Sequence, residues 1–345
     1  MKPFVSVIIT TYNRLHFLKQ AVASVFMQTY DNLELIIVDD GSEDGTHEWI
    51  LGMSQSSIKY ISLKHQGLEK LSCTFNQGLQ AARGNYVVLL DSDDVFSSAT
   101  AILDLVTTID TTGSMLAFSA ASLIDENGDN IPDLYGAFSL PYNTSLRLEN
   151  KTRSEMLEEL FKHCFIPSSG VILHRVNLLN LGGFRSFGQF FGQDYATWIT
   201  IAMSGTISYC AKSLVSIRKH RENSSGSMNS LRSSLGSLDL VTHYFPDAVT
   251  AGLLQTEAWK DIATFRQRAI ASACWNLNQQ FARNRTWDKM TYLAHIQWNY
   301  GNWSMKIQAV ISIFSGLLRI DLINPPLRIA RHLNLELYKE SRTHR

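Results

Sequence analysis

Short continuous apolar runs alternate along the chain with longer stretches whose apolar residues recur at helical spacing. Residues 4–9, 33–38, 58–61 and 86–90 are apolar runs rich in β-branched residues, and they read as strands buried on both faces. Between them, apolar residues at 15, 18, 22 and 25 give one helix, and Gly45-Thr46 opens another that runs through Ile50. A third helix spans residues 71–82 and is closed by Arg83-Gly84. Strands separated by helices need crossover connections, which imply a parallel sheet. Ligands of such sheets collect at the carboxyl ends of the strands. Thr10-Thr11-Tyr12-Asn13, Asp39-Asp40 and Asp91-Ser92-Asp93 all fall at those ends, so three polar clusters are expected to converge on one crevice.

The pattern then changes. Residues 98–109 read as a helix, 114–124 as a strand and 125–150 as a loop rich in Asp, Asn, Gly and Pro. A helix over 153–163 precedes PSSGVILHR, a strand. A Gly-rich loop leads into a helix over 194–203, and residues 207–210 and 214–217 read as two further strands. Residues 222–237 are rich in Ser, Asn and Gly and read as a linker or mobile loop. Beyond them the pattern is helical, with Ile307, Val310, Ile311, Phe314, Leu317 and Leu318 forming one apolar stripe. The expected organisation is an α/β domain over 1–221, a linker over 222–237 and a helical region over 238–345.

Charge adds an asymmetry that the zero net charge hides. Residues 1–204 hold 13 Lys/Arg against 22 Asp/Glu, whereas residues 205–345 hold 18 against 9. The acidic part suits a metal or polyol site, and the basic part an anionic partner such as a membrane surface. Two solvated faces of opposite sign explain the same counts. The four cysteines, Cys73, Cys164, Cys210 and Cys274, show no metal spacing and read as buried thiols in a reducing compartment. The N-terminal apolar run lacks a small-residue cleavage site and reads as a strand, and no stretch reaches the roughly 18 apolar residues of a spanning helix.

The acids at the strand ends carry the chemistry. Asp91-Ser92-Asp93 after a buried strand can hold a divalent cation, because hard cations prefer oxygen ligands. Taken alone, such a triplet is more often a solvated loop. Asp39-Asp40 can accept hydrogen bonds from a nucleobase or a ribose, and Asp-Gly is equally plain turn chemistry. Asp44-Gly45-Thr46 suits the start of a helix.

VSVIITTYNR, LELIIVDDGSEDGT and GNYVVLLDSDD, in that order, resemble the family 2 glycosyltransferases of GT-A fold. The resemblance continues through PSSGVILHRVNLLNLGGFR, GQDYATWITIA and IRKHRENSS, and covers residues 4 to about 225. It implies a Rossmann-like, mostly parallel sheet flanked by helices, here with a helical C-terminal extension. It implies an inverting transfer of a sugar from a nucleotide diphosphate, a UDP-sugar, to a hydroxyl of a glycan or lipid-linked acceptor. That places the chain in cell-surface polysaccharide or lipid-linked oligosaccharide synthesis, at the cytoplasmic face of a membrane, with no nucleic-acid partner. Carried onto this chain, Thr10, Tyr12 and Arg14 line the nucleotide pocket, and Asp40, with Asp39 beside it, contacts base or ribose. Asp91 and Ser92 face the donor, Asp93 is the direct ligand of Mn²⁺ or Mg²⁺, and His220 contacts the diphosphate or completes the metal shell. Asp194 is the general base.

Two departures stand out. Gln193 replaces the Glu usual before the base, so Asp194 carries the base role alone. The family's Ala-Arg-Asn on the helix before the acidic strand is missing; Thr74 and Phe75 stand near its place, Asn76 and Gly78 remain, and Lys64 and Lys70 are candidate substitutes for the Arg. His65 and His174 read as structural, and Tyr12 and Trp198 suit a core equally well. A basic solvated face explains His220 among Arg218, Lys219 and Arg221. Three rivals compete: a phosphatase with an Asp nucleophile on LLDSDDV, a nicotinamide dehydrogenase, and a sugar-nucleotide binder without activity. The phosphatase motif belongs on a first strand, and no GxGxxG follows the first strand here. Retention of Asp93 and Asp194 argues against the binder.

Overall fold

A computed structural model describes residues 2–53, 58–67, 70–131, 148, 151–187, 193–220, 227–286, 288–300 and 303–318. The first half of the chain runs β1 (Val5–Thr11), α1 (Leu15–Phe26), β2 (Leu33–Asp39), α2 (Thr46–Leu51), β3 (Ile58–Ser62), α3 (Leu71–Ala81) and β4 (Tyr86–Asp91). It continues with β5 (Val95–Phe96), α4 (Ala101–Thr112), β6 (Leu116–Ile124), α5 (Arg153–Lys162), β7 (Val171–His174), α6 (Arg175–Asn180), α7 (Gln193–Ala202) and β8 (Ile207–Arg218). Helices α8 (Ser227–Thr250), α9 (Ala258–Arg283), α10 (Asp288–Tyr300) and α11 (Trp303–Leu318) follow.

The eight strands form one sheet in the order β3-β2-β1-β4-β7-β6-β8-β5. Strands β3, β2, β1 and β4 are parallel, as the alternation of strands and helices requires. At β7 the direction reverses: β7 is antiparallel to both β4 and β6. The parallel strands are buried on both faces. Val5, Val7, Ile9, Leu35 and Ile37 pack with Leu18 and Val22 of α1 and Leu105 of α4 on one side. On the other side α3 lies close enough that a Cβ at Gly78 would sit 2.7 Å from Ile8, so only glycine fits there.

Three expectations change. β8 is one strand over Ile207–Arg218 rather than two; its pairing with β6 slips between Cys210 and Ser213 and again between Ser213 and Val215, so the exposed Ala211-Lys212 bulges out without ending the strand. Most of the expected linker over 222–237 belongs to α8, because Leu231, Leu235 and Leu238 recur at helical spacing and are packed in a core. Of the four thiols, Cys274 is buried and Cys73 is exposed. All four cysteines are free.

The chain divides into two compact units: residues up to Asn223 with Leu240–Ala258, and Ser224–Asp239 with the residues from Trp259 onward. The second unit has its own core of Leu231, Ile270, Cys274, Leu277 and Leu293. Among the described residues, no helix is long and apolar enough to cross a membrane. Trp287, the run from Arg319, and Arg221 to Ser225 of the IRKHRENSS segment lie outside the described residues.

Candidate active site

The register of the parallel strands sets the site. Thr10 pairs with Asp91 on one side and Val38 on the other, and Thr11 pairs with Asp39. The three polar clusters therefore share one edge of the sheet.

The TYN and DDGSEDGT stretches close on each other. Asn13 adopts a left-handed backbone (φ 49°), a conformation Asn tolerates. Its N–H donates to Ser42 Oγ at 2.8 Å, and its Oδ1 accepts from the Glu43 N–H at 2.7 Å. Asp44 accepts from the Leu15 N–H at 2.7 Å and from Thr46 Oγ1 at 2.6 Å. One carboxylate thus serves the first turns of both α1 and α2. Asp39 is taken up by the fold: it accepts from the Ser42 N–H at 2.9 Å, Ser42 Oγ at 2.6 Å and Tyr60 OH at 2.7 Å. Asp40 accepts from the N–H groups of Gln66 (3.0 Å) and Gly67 (3.2 Å), and His65 Nδ1 lies 2.9 Å from its Oδ2. The His65 ring stacks on Tyr12 with centroids 3.9 Å apart, and Tyr12 is 40% exposed. Tyr12 is therefore a surface aromatic, and His65 belongs to the crevice.

At the end of β4, ligand atoms of Asp91, Asp93 and Asp94 lie within 4.8 Å of one another. Arg14 Nη1 reaches Asp93 Oδ2 at 2.5 Å, and His220 Nε2 reaches the same oxygen at 2.9 Å. Burial raises the Asp93 carboxyl, but the His220 bond and the Arg14 charge outweigh it and hold the group below the ordinary carboxylate value. Asp91 goes the other way. Burial, then the charges of Asp93 and Asp194, push it up to about 7 against a hydroxyl bond from Ser168. Asp94 is raised by burial and by both neighbouring acids; it accepts from Ser169 Oγ at 2.5 Å and from the Arg218 N–H at 2.9 Å. Three clustered carboxylates, two of them buried, that repel each other fit a hard divalent cation, whose charge would relieve that repulsion. Ser92 and Thr10 are both buried.

Asp194 opens α7 across the crevice. Burial raises its carboxyl to about 6, and its charge acts on Asp91, which places the two acids in one field. The helix is anchored by Tyr195 and Trp198, both in the core, with the Tyr195 hydroxyl donating to the Leu160 carbonyl. The side chain of Gln193 lies outside the described residues. The turn before α7 is held from α3. Asn76 Nδ2 donates to the Phe184 carbonyl at 2.9 Å, and the Phe184 N–H donates to Asn76 Oδ1 at 2.8 Å. A Cβ at Gly183 (φ +79°) would stand 2.3 Å from that Oδ1. The Arg185 N–H then donates to Thr197 Oγ1 of α7 at 3.0 Å.

Several of these residues are not singled out by the sequence. Ser168 and Ser169 precede a strand whose antiparallel direction, invisible in the pattern, brings its start to the end of β4. Arg218 is 1% exposed; its Nε donates to the Asp93 carbonyl at 2.8 Å, its Nη1 to the Asp125 carbonyl at 3.0 Å, and its Nη2 to Gln20 Oε1 at 2.8 Å. His65 had one readable signal: it follows the third strand at the same sheet edge. His174 packs edge-on against Tyr86.

The family model for Glycosyl transferase family 2 matches residues 6–179. A β-1,3-glucosyltransferase of Escherichia coli, WfaP, named for transfer from UDP-Glc to α-D-GlcNAc-diphosphoundecaprenol, is 31% identical over 201 residues, 58% of this chain and 71% of that protein. An uncharacterized glycosyltransferase of Nostoc, alr2836, is 30% identical over 221 residues, 64% of this chain and 62% of that protein. Against two longer Rickettsia relatives the match spans 35% of their length. Among solved structures, the Pyrobaculum calidifontis mannosyltransferase PcManGT, in complex with GDP-Man and Mn²⁺, aligns over 92% of this chain and 88% of its own with a TM-score of 0.57 and 17% identity. Staphylococcus aureus TarS 1–349, in complex with UDP-GlcNAc, aligns over 91% and 90% with a TM-score of 0.52 and 16% identity. Both likenesses place the fold as GT-A.

Proposed function

Because the chain belongs to glycosyl transferase family 2, we propose that it is an inverting glycosyltransferase that moves a sugar from a nucleotide diphosphate to an acceptor hydroxyl. The observation that carries this reading is the meeting of Asp194 with the acids of β4 in one crevice, close enough for Asp194 to act on Asp91. A carboxyl raised to about 6 is ionised at neutral pH and basic enough to take a proton in flight. Asp194 deprotonates the acceptor oxygen, which attacks the anomeric carbon as the diphosphate leaves. A single displacement inverts that centre and needs no nucleophilic carboxylate, unlike retaining hydrolases.

Asp93, with Asp91 and Asp94 around it, would hold Mn²⁺ or Mg²⁺. When bound, the cation supplies positive charge against the leaving diphosphate. Arg14 and His220, which both reach Asp93, stand where they can pass from that carboxylate to a phosphate oxygen. Tyr12 and His65 form an aromatic shelf for the base, and Asp40 beside them reads the base or ribose. The relatives named for UDP-Glc and diphosphoundecaprenol acceptors support a UDP-sugar donor and a lipid-linked acceptor for this chain. Cell-surface glycan synthesis at the cytoplasmic face of a membrane, with peripheral contact through the basic C-terminal helices, follows from such an acceptor.

Release of nucleoside diphosphate tests the reading. The full chain should release it from a UDP-sugar only with Mn²⁺ or Mg²⁺ present. Asp93→Ala should abolish the metal-dependent rate. Asp194→Asn should lower transfer by about 10²-fold or more while donor binding, read by thermal shift, persists. Full transfer by Asp194→Asn would remove the base assignment.

A further inference from the structure

Helix α11 is built inside out. Among its described side chains, the fully buried ones are small or polar: Ala309, Ser312 and Ser315. Four large apolar residues face outward, with Ile307 57%, Val310 37%, Phe314 53% and Leu317 68% exposed, while Ile311 at the edge of that face packs against Ala282 and Met290. At the 100° per residue of an α-helix those four fall within an arc of roughly 80°. The three inward residues fall on the opposite side. A helix that rests on a protein core in water shows the reverse arrangement. Small residues toward the neighbouring helix and large apolar residues away from it are how helices pack where the surrounding phase is apolar. Helix α10, which packs on α11, buries Met290, Leu293 and Ala294.

Charge selects among apolar phases. Within the second compact unit, residues 224–239 and 259–318 hold eight Lys/Arg against three Asp/Glu. Lys306, next to Ile307 in sequence, lies with its Nζ 5.4 Å from the centre of the Trp298 ring, and Trp298 is 42% exposed. A Trp and a Lys beside an apolar stripe are the side chains that favour the headgroup level of a bilayer. At 16 residues, α11 is shorter than the roughly 20 needed to cross the hydrocarbon core.

We propose that α11 lies in the plane of an anionic membrane, with Ile307, Val310, Phe314 and Leu317 in the acyl boundary and the basic surface of its unit against the headgroups. This deepens the reading of a lipid-linked acceptor: it assigns the membrane contact to one helix face, and the catalytic assignment does not depend on it.

Flotation of the full chain with vesicles of 30% phosphatidylglycerol in phosphatidylethanolamine tests the proposal, with pure phosphatidylcholine vesicles in parallel. The wild type should float with the anionic vesicles and much less with the neutral ones, and salt should release it. The triple variant Ile307→Ser, Phe314→Ser, Leu317→Ser should lose at least about tenfold in vesicle binding. Because all three side chains are exposed, its circular dichroism and melting temperature should match the wild type. Its nucleoside-diphosphate release with a water-soluble acceptor should also be unchanged, which separates failure of this proposal from failure of the transferase reading. No flotation of the wild type, or equal flotation of the triple variant, overturns the proposal. So does a wild-type dimer by light scattering that the triple variant turns to monomer without any change in flotation, since a second copy would then own the face.

Discussion

Asp194 and Asp93, proposed as base and metal ligand, are two carboxylates whose surroundings shift them in opposite directions. Burial with few bonding partners raises Asp194 to about 6, while His220 and Arg14 overcome the same burial at Asp93 and hold it low. A base is useful only when ionised. The rate of transfer should therefore be full above the raised value of Asp194 and fall as pH drops through about 6. A bound cation beside it would draw that limb to lower pH. A pH–rate profile measured at saturating metal, with donor binding followed separately, checks this. A limb that stays put in Asp194→Glu and survives in Asp194→Asn would assign it elsewhere. Neither shift is visible in the sequence, since both depend on which side chains the fold brings near. The acids themselves were legible, because three of them follow one buried strand. Asp94 was not assignable, because its partners Ser169 and Arg218 come from distant positions.

Among the elements, the contact between α3 and the turn before α7 is the least expected. Asn76 and Gly183-Phe184 stood out separately in the sequence, one as a remnant of an Ala-Arg-Asn pattern, the other as a turn. The structure joins them by two hydrogen bonds at 2.9 and 2.8 Å. The turn in turn holds Thr197, three residues past Asp194 on α7. Asn76→Ala should cost about 1–3 kcal/mol by leaving buried backbone groups unpaired. It should also lower kcat more than it raises the KM for the donor, because Asp194, the proposed base, would move and the proposed donor pocket would not. A variant that loses stability but keeps its kcat would make Asn76 a purely structural clamp. Asn76→Asp, which keeps the acceptor and removes the donor, should fall between. The parallel half of the sheet was readable because crossover helices separate its strands. In the other half, β6 and β7 were legible as strands but the reversal at β7 was not, β5 has only two residues, and two register shifts in β8 look like a strand break. The Ser-rich start of α8 has the composition of a loop, while Leu231, Leu235 and Leu238 have the spacing of a helix.

Across the whole molecule, Arg218 does the work of a keystone. One buried guanidinium joins the Asp93 carbonyl, the turn after β6 and Gln20 of α1, and lies 4.9 Å from the Phe17 ring. Arg218→Ala strands four acceptors at once, the carbonyls of Asp93, Asp125 and Glu126 and Gln20 Oε1, and should cost about 3–5 kcal/mol. Arg218→Lys should recover only part of this, because one ammonium cannot span the same acceptors. Urea unfolding of the two variants beside the wild type reads both values. The position of this residue in the chain has a further meaning. Asp94 waits for Ser169, which lies 75 residues later, and for the Arg218 amide, which lies 124 residues later. A ribosome that has delivered every strand of the parallel half has thus made the acids and Arg14, which pairs with Asp93, but not Ser168, Ser169, the Arg218 amide or His220. The nascent chain carries Asp91 and Asp94 without these hydrogen-bond partners until the later strands emerge, so a chain cut short after β4 keeps the recognisable strand-end motifs and lacks the assembled acid cluster.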